Sequence, residues 1–347
     1  MASRLESAAM DRALALAGSV DLRRDPNPRV GAVVLSSTGE VISDAAHRGA
    51  GHPHAEATAI QQAGPRAAGA TLVVTLEPCN HIGRTGPCTE LIRAAGIHRV
   101  VFAQRDPNPD AAGGAAALRA AGVDVEAGWR EDEALALNPH WTFAMVGQRP
   151  FVTWKLAATI DGRSAAADGT SRWITGPAAR GDVQRLRAGC DTVLVGTGTV
   201  ATDDPWLTVR HPSGQPLARE SQPRRAVMGR RELDPRSRVF DLAADTVRLR
   251  TRQPEDALDS LFSLGSRHVW LEGGPTLSAA FVRAGLVDEV VAYVAPAMLG
   301  AGVAAVGDLG ISNVSDALRF ELDDVTRVGS DVRLTMRGES ASVHRNR

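Results

Sequence analysis

The stretch ATLVVTLEPC, residues 70–79, indicates the fold of the chain most clearly. Residues 70–76 form a short run of apolar and β-branched side chains, which predicts a buried strand that ends at Glu77-Pro78-Cys79. Farther along, Pro87 comes just before Cys88, and proline is favoured in the first turn of a helix. Gly96 then ends the predicted helix. A buried strand followed by a helix predicts an α/β unit.

The pattern on both sides of this stretch alternates in the same way. Met10, Ala13, Leu14 and Ala17 recur on one helical face. Further strands are predicted at Val30–Leu35, Arg99–Ala103 and Val123–Glu126, and further helices at His54–Ala63 and Ala115–Ala121. Alternating elements of this kind imply a central sheet with helices packed on both faces.

The pattern starts again near Gly147-Gln148-Arg149-Pro150, so two domains are predicted. The first covers residues 1–147 and the second residues 148–337, with a disordered tail at 338–347. The second α/β series comprises Phe151–Leu156, Ala178–Ala188, Thr192–Val195, Glu255–Leu264, His268–Leu271, Thr276–Ala284 and Val287–Val294. Arg319–Leu322 and Val332–Met336 would close an antiparallel edge, and Pro212–Arg225 is predicted to be an exposed loop.

Composition excludes several classes of protein. A formal net charge of −1 without a basic block argues against a nucleic-acid binder. The chain has only three cysteines, too few for a disulfide scaffold, and no apolar run long enough to cross a membrane. We therefore expect a cytoplasmic protein.

Four residues form a pattern with a specific chemistry. His54, Cys79 and Cys88 offer one imidazole and two thiolates, which suit Zn²⁺ and leave a fourth position for water. Glu56 lies two residues after His54 and can carry the proton that this water releases. This is the layout of a hydrolytic zinc deaminase, although eight residues separate the cysteines instead of two. The alternative, a structural zinc, needs a fourth ligand, for which His81 is the candidate.

Several motifs then resemble one known family. In order they are PNPRVG at 26–31, His47, HAE at 54–56, TLEPCNHIGRTGPC at 75–88, DPNP at 106–109, KLAATIDGR at 155–163, SRWIT at 171–175, DDPWLTVR at 203–210 and EGGPTL at 272–277. This series resembles the bifunctional deaminase–reductases of riboflavin biosynthesis over roughly residues 8–337. In that family the long spacing between the cysteines is normal.

The resemblance implies a cytidine-deaminase-like α/β/α domain followed by a dihydrofolate-reductase-like α/β domain. It implies one Zn²⁺ per deaminase site, with His54, Cys79 and Cys88 as ligands and Glu56 as the catalytic acid/base. The substrate would be a small phosphoribosyl pyrimidine, 2,5-diamino-6-(5-phosphoribosylamino)pyrimidin-4(3H)-one. The residues expected to bind it in this half are Asn27, His47, Arg84, Asp106 and Asn108.

The second half would then use NADPH to reduce the phosphoribosyl group to a ribityl chain, which gives 5-amino-6-(5-phosphoribitylamino)uracil. The expected cofactor-binding residues are Ala157, Trp173, Thr199, Asp203, Gly274, Pro275, Thr276, Leu277 and Ser278. The expected substrate-binding residues are Lys155, Ser171, Arg187, Leu207, Arg210 and Glu272. Arg187 and Arg210 fit phosphate clamps, since a guanidinium group pairs with phosphate oxygens through two bonds. Neither glycine loop of this half is a G-x-G-x-x-G fingerprint, so NADPH follows here from the resemblance.

Two other functions are open from the residues alone. One is a cytidine- or guanine-type zinc deaminase whose second domain binds a nucleotide without being a reductase. The other is a non-catalytic binding protein with a structural zinc. The family also implies a homo-oligomer, with no nucleic-acid and no membrane partner.

Overall fold

The structure is a computed structural model that describes residues 3–22, 25–81 and 86–338. The chain divides into two compact units, one up to Gln148 and one from Arg149. No helix in the described ranges is both long enough and apolar enough to cross a membrane.

The first unit is built on a five-stranded sheet. Its strands are β1 (Gly31–Leu35), β2 (Val41–Ala46), β3 (Thr71–Leu76), β4 (Arg99–Gln104) and β5 (Asp124–Ala127), in the order β2-β1-β3-β4-β5. Strand β1 is antiparallel to both neighbours, whereas β3, β4 and β5 are parallel. The buried strand predicted at 70–76 is therefore the central strand.

The described residues of the first unit also form six α-helices. They are α1 (Arg4–Ser19), α2 (Ala55–Ala63), α3 (Cys88–Ala94), α4 (Gly114–Ala120), α5 (Glu131–Leu137) and α6 (Pro139–Gly147). Helix α1 buries Met10 and Ala13 against Val33 and Val73 of the sheet, as its periodicity predicts. Helix α2 contacts β1, β2 and α3, so the start of α2 lies beside the start of α3.

The second unit is built on an eight-stranded sheet. In sequence its strands are β6 (Phe151–Thr159), β8 (Thr192–Gly196), β9 (Arg224–Met228), β10 (Thr246–Leu249), β11 (His268–Leu271), β12 (Glu289–Ala295), β14 (Glu321–Val328) and β15 (Asp331–Arg337). The order is β10-β9-β8-β11-β6-β12-β15-β14, and only the pairs that involve β15 are antiparallel. The small strands β7 (Arg163–Ala165) and β13 (Val303–Ala304) pair separately. The helices are α7 (Pro177–Arg187), α8 (Thr197–Asp203), α9 (Pro254–Ser263) and α10 (Pro275–Arg283).

One expectation about this unit is partly wrong. The polar stretch 212–225 does not stay in a loop to its end, because β9 begins at Arg224. The side chain of Arg225 is fully buried, and its guanidinium group donates to the side chain of Asp241 and to the backbone carbonyls of Asp241 and Ala244. A buried arginine satisfied in this way is compatible with a strand, but the sequence does not show its partners. Strands β7, β10 and β13 and helix α8 were likewise not predicted, and in the first unit neither were β2, α5 and α6.

Candidate active sites

The three predicted zinc ligands meet at one point of the first unit. His54 is the residue before α2, Cys79 follows β3, and Cys88 begins α3. The Nδ1 atom of His54 lies 3.6 Å from Sγ of Cys79 and 3.3 Å from Sγ of Cys88. All three ligand atoms lie within 4.8 Å of one another, and no other such group occurs among the described residues. His81 is not part of this group, which speaks against a four-ligand structural site.

The electrostatics of the three groups suit a cation. A hydrogen bond from the Cys88 thiol lowers the pKa of Cys79 to about 4, and His54 assists. With this first negative charge beside it and with its own burial, Cys88 has a raised pKa. The Cys79 thiolate in turn raises the pKa of His54. A divalent ion would supply the positive charge that keeps both thiols ionised, so the donor set fits Zn²⁺.

Glu56 lies in the first turn of α2, next to these ligands. Its residue is only 4 % exposed, and burial raises the pKa of its carboxyl group. The charge on His54 and a hydrogen bond from Cys88 act in the opposite direction. A buried carboxyl group with a raised pKa is suited to accept and return a proton.

Asn27 and His47 lie beside the ligands. The imidazole of His47 packs edge-on against that of His54, with 5.5 Å between ring centroids. Its Nδ1 atom donates to the carbonyl of Pro53 at 3.0 Å, so Nε2 accepts from the Asn27 amide at 3.4 Å. Burial lowers the pKa of His47, which favours the neutral ring. Asn27 and His47 therefore place polar groups beside the ligands. The Asn27 amide can form hydrogen bonds with the edge of a base.

Asp106 and Asn108 follow β4 and are close enough to affect the same site. Burial raises the pKa of Asp106 to about 7, and the charges of Glu77, Cys79 and Glu56 contribute. Asp106 accepts a bond from the backbone N–H of Asn108 at 2.9 Å. Asp106 therefore lies near the ligands, and Asn108 is bonded to it. The predicted phosphate contact Arg84 lies outside the described residues.

Glu77 is a functional residue that the pattern analysis did not select. Its buried carboxylate accepts from the backbone N–H groups of Asp106 at 3.2 Å and Ala115 at 2.8 Å. It thereby joins the end of β3 to the Asp106 loop and to α4. The signal was present in the sequence, since a charged residue directly after a buried strand requires buried partners.

Lys155, Arg187 and Glu272 form a charged group in the second unit. The guanidinium of Arg187 donates to both carboxylate oxygens of Glu272, at 2.8 and 2.7 Å, and to the carbonyl of Thr208 at 3.0 Å. Trp270 also donates to Glu272. Burial alone would raise the pKa of Glu272, but the charges of Arg187 and Lys155 outweigh it and lower the pKa. Burial lowers the pKa of Lys155, so this amine is unusually ready to release a proton.

The predicted cofactor loops follow the carboxyl ends of two adjacent strands, β8 and β11. Thr199 and Asp203 lie on α8, directly after β8, and residues 274–278 begin α10, directly after β11. A Cβ atom at Gly274 would meet no other atom within 4 Å, so the loop presents open backbone. This edge of a parallel sheet, with helix N-termini beside it, fits a dinucleotide. Ser278 differs from its neighbours, because it is fully buried and its hydroxyl turns back to the carbonyls of Gly274 and Pro275.

Trp173 lies in the second unit at an open cleft of about 380 Å³, lined also by Gly176, Arg180 and Pro296. Its ring is 68 % exposed and stacks under the guanidinium of Arg180 at 4.5 Å. Ala157 lies near the end of β6. Ser171 is exposed and lies two residues before Trp173. An exposed aromatic ring beside a cleft is suited to contact a flat ligand ring.

In the DDPWLTVR segment, the guanidinium group of Arg210 packs against an aromatic ring. The guanidinium of Arg210 lies 4.4 Å from the ring centroid of Trp206, and that of Arg238 lies 4.0 Å from the same centroid. The side chain of Leu207 is buried, and its φ of 55° lies in the left-handed region. Because the fork of Arg187 is bound to Glu272, Arg210 is the better placed of the two predicted phosphate clamps.

Comparison with known proteins extends this picture to the whole chain. A family model described as the cytidine and deoxycytidylate deaminase zinc-binding region matches residues 3–104, and one described as the RibD C-terminal domain matches residues 150–334. The riboflavin biosynthesis protein RibD of Mycobacterium tuberculosis is 47 % identical over 313 residues, which cover 90 % of this chain and 91 % of the relative. The riboflavin biosynthesis protein RibD of Escherichia coli is 39 % identical, and the match covers 95 % of this chain and 98 % of the relative.

The chain belongs to the RibD family.

Solved RibD structures show the same architecture. Acinetobacter baumannii RibD is 37 % identical, with a TM-score of 0.85 and coverage of 96 % of this chain and 99 % of that chain. The Thermotoga maritima deaminase/reductase is 33 % identical, with a TM-score of 0.78 and the same coverage. The expected fold class is therefore confirmed: a cytidine-deaminase-like domain followed by a RibD reductase domain. RibD enzymes combine a zinc-dependent deaminase with an NADPH-dependent reductase of riboflavin biosynthesis, and both domains are present in this chain.

Proposed function

We propose that the chain catalyses two consecutive steps. The first replaces the 2-amino group of 2,5-diamino-6-(5-phosphoribosylamino)pyrimidin-4(3H)-one by oxygen, with water consumed and ammonia released. The second reduces the phosphoribosyl group with NADPH to give 5-amino-6-(5-phosphoribitylamino)uracil. The observation that carries the proposal is the convergence of His54, Cys79 and Cys88 beside the buried Glu56, in a chain whose second domain is the RibD reductase domain.

In the deaminase half, His54, Cys79 and Cys88 would hold Zn²⁺, which lowers the pKa of water towards about 7 when bound. Glu56 would accept one proton from the attacking water and pass it to the ring nitrogen as the oxygen adds to the ring carbon. It would then take the second proton of that oxygen and pass it to the amino group, which leaves as ammonia when the C–N bond breaks and the carbonyl forms. The burial of Glu56 supports this role, because it keeps the carboxyl group away from bulk solvent. Asn27 and His47 would orient the pyrimidine ring, and Asp106, Asn108 and Arg84 would complete the substrate contacts.

In the reductase half, Lys155 and Glu272 would contact the sugar that is reduced. The lowered pKa of Lys155 supports a role in moving a proton as hydride adds to the sugar carbon. Arg187 holds Glu272 ionised, and Arg210 on the Trp206 ring would bind the sugar phosphate. The backbones of Ser171 and Leu207 complete the proposed substrate contacts.

The cofactor contacts are proposed on β6, at Trp173, on α8 and at the start of α10. Ala157 and Trp173 would meet the nicotinamide end, and Thr199 and Asp203 the ribose. Gly274, Pro275, Thr276 and Leu277 would receive the diphosphate through the open start of α10. Ser278 would act only through its backbone, because its hydroxyl is buried.

We further propose the domain limits 1–147 and 148–337, which the division into two compact units near Gln148 supports. Residues 339–347 of the expected tail lie outside the described residues, and Gly338 still bonds to Asp288. We also propose a cytoplasmic location, consistent with the three free cysteines.

A homo-oligomer is proposed as well. The edge strand β14 exposes the side chains of Leu322 and Val325 by 56 % and 57 %, and a second copy of the chain would cover these two apolar side chains. Light scattering coupled to size exclusion should give a dimer or larger; a monomer at micromolar concentration would contradict this proposal.

One experiment tests both steps together. The diaminopyrimidine phosphoriboside is supplied with NADPH, and ammonia release and NADPH oxidation are followed in the same sample. We expect both, with ammonia first. Ammonia release without NADPH oxidation would show that the second half is not the proposed reductase, and turnover of only cytidine or guanine would favour the alternative deaminase function.

A further inference from the structure

The carboxylate of Glu272 receives its hydrogen bonds unevenly. Its Oε1 atom accepts from Nε of Arg187 at 3.1 Å, from a terminal nitrogen of Arg187 at 2.8 Å and from the indole N–H of Trp270. Among the described residues, its Oε2 atom accepts only from that terminal nitrogen of Arg187, at 2.7 Å. A carboxylate has about four acceptor positions on its two oxygens, so Oε1 is saturated and Oε2 keeps an open position.

Trp270 holds its indole N–H in a fixed place. The residue is 1 % exposed and lies on β11, between the parallel strands β6 and β8. Its ring belongs to the same buried cluster as Ala179 and Val183 of α7. The backbone N–H of Glu272 continues the ladder of β11 by donating to the carbonyl of Leu194 at 2.9 Å. Residues two apart on an extended strand share a face, so the indole reaches the carboxylate from within the core.

Lys155 occupies the adjacent position on the neighbouring strand. Leu271 of β11 is in register with Trp154 of β6, so Glu272 and Lys155 come next along the two strands, which lie about 4.8 Å apart. Burial lowers the pKa of Lys155, and the charge of Glu272 acts in the opposite direction. Within the described ranges the amine of Lys155 forms no hydrogen bond and no ion pair. Its donors are therefore available beside the open position on Oε2.

An open acceptor beside an unpartnered amine is complementary to a hydroxyl group. A hydroxyl can donate to the carboxylate and accept from the amine at the same time. The sugar that the second step reduces carries hydroxyl groups next to its reacting carbon. Without the indole donor, the carboxylate of Glu272 would be free to turn against Arg187, and Oε2 would no longer have one fixed position.

We propose that Trp270 is a positioning residue of the reductase: with Arg187 it saturates Oε1 of Glu272, so that Oε2 is held ready for a hydroxyl of the sugar. This inference rests on the proposed reductase function. It assigns a role to a residue that lies outside the EGGPTL motif and outside the proposed substrate contacts.

The test compares two tryptophans of the same sheet. Trp270→Phe keeps an aromatic ring in the core and removes the N–H donor. Trp154→Phe is the matched control, because Trp154 is only 4 % exposed, packs in a different buried cluster and has no hydrogen bond from its indole within the described ranges. Both substitutions remove the same atoms, but only the first removes a partner of Glu272.

The assay uses the full-length chain with the already deaminated substrate and NADPH. We measure kcat and KM for NADPH oxidation, and NADP⁺ affinity by calorimetry. In Trp270→Phe we expect kcat to fall by roughly 10- to 100-fold, as for a lost hydrogen bond to a charged group, while NADP⁺ affinity stays within about twofold of wild type. Trp154→Phe should keep kcat within about threefold of wild type, since a buried ring alone does not orient the carboxylate.

The pH dependence of kcat/KM separates positioning from packing. The titratable and charged groups that face Glu272 are Arg187 of α7, Lys155 of β6 and the thiol of Cys190, which follows α7. Burial acts to raise the pKa of Glu272, but the charges of Arg187 and Lys155 and the hydrogen bond from Trp270 lower it overall. Without the indole donor this pKa rises. The loss of kcat/KM on the acid side, as Glu272 takes a proton, should therefore begin at a higher pH in Trp270→Phe than in wild type.

Three results would overturn the inference in distinguishable ways. If Trp270→Phe kept the wild-type kcat and pH profile, the inference would be wrong and the reductase function would stand. If Trp270→Phe lost NADP⁺ binding, or if both variants lost kcat alike, Trp270 would serve packing and not positioning. If the wild type did not oxidise NADPH with the deaminated substrate, the proposed reductase function would fail and the inference with it.

Discussion

The substitution Glu56→Gln gives the sharpest test of the deaminase site. Glutamine keeps the shape of the side chain in a position that is only 4 % exposed, so α2 and its contacts should remain intact. The ligand atoms of His54, Cys79 and Cys88 are not altered. What disappears is the group that accepts and returns the proton.

The expected magnitude follows from the environment of Glu56. Loss of a general acid/base costs about 10²- to 10⁴-fold in rate, or roughly 3–5 kcal/mol in activation free energy. Because Glu56 is buried, bulk water cannot easily replace it as a proton acceptor, so we expect the upper part of this range for kcat.

The assay compares three quantities in the same protein preparation. Ammonia release from the diaminopyrimidine should fall as stated, zinc content per chain should equal that of wild type, and NADPH oxidation with the already deaminated substrate should be unchanged. Glu90→Gln is the matched control, since Glu90 is an exposed glutamate in the first turn of α3. Ammonia release by Glu56→Gln within threefold of wild type would refute the role of Glu56.

The other predictions concern the metal, the reductase charges and pH. Cys88→Ser should weaken zinc binding by more than about 100-fold in a chelator competition, because a ligand matters at least as much as the groups that orient ligands; wild-type zinc affinity would contradict the three-ligand site. Glu272→Gln should leave Arg187 without its counter-charge and destabilise the reductase domain by about 3–5 kcal/mol in urea unfolding, with loss of NADPH oxidation; an unchanged unfolding midpoint would argue that the pair is not buried. Burial raises the pKa of Asp191 from 3.8 to about 6, so the folded state favours its protonated form and this contribution to stability is lost as pH rises through that window. The free energy of unfolding of Asp191→Asn should therefore rise relative to that of wild type by about 1.4 kcal/mol per pH unit between about pH 4 and 6. A difference that does not depend on pH would contradict the raised pKa.

Local patterns were enough to predict the frame of both domains. The apolar run at 70–76 is the central strand β3, because such a run can only be stable when both faces are covered. The helix of Cys88 begins after Pro87 and ends just before Gly96, as the preferences of these residues predict. Among the elements that were missed, β9 shows the reason most clearly: its Arg225 is buried only because distant carbonyls receive its donors.

For the sites, the sequence determined the chemistry by itself. Which residue types can bind zinc, carry a proton or clamp a phosphate is a property of the side chains, so His54, Glu56, Cys79 and Cys88 could be selected from their spacing. Only the tertiary structure decided which groups face one another. It bound Arg187 to Glu272, gave Glu77 its two backbone partners and turned the hydroxyl of Ser278 inward. The physical reason is that hydrogen bonds and charges act over a few ångströms in space, and the residues they join here are far apart along the chain.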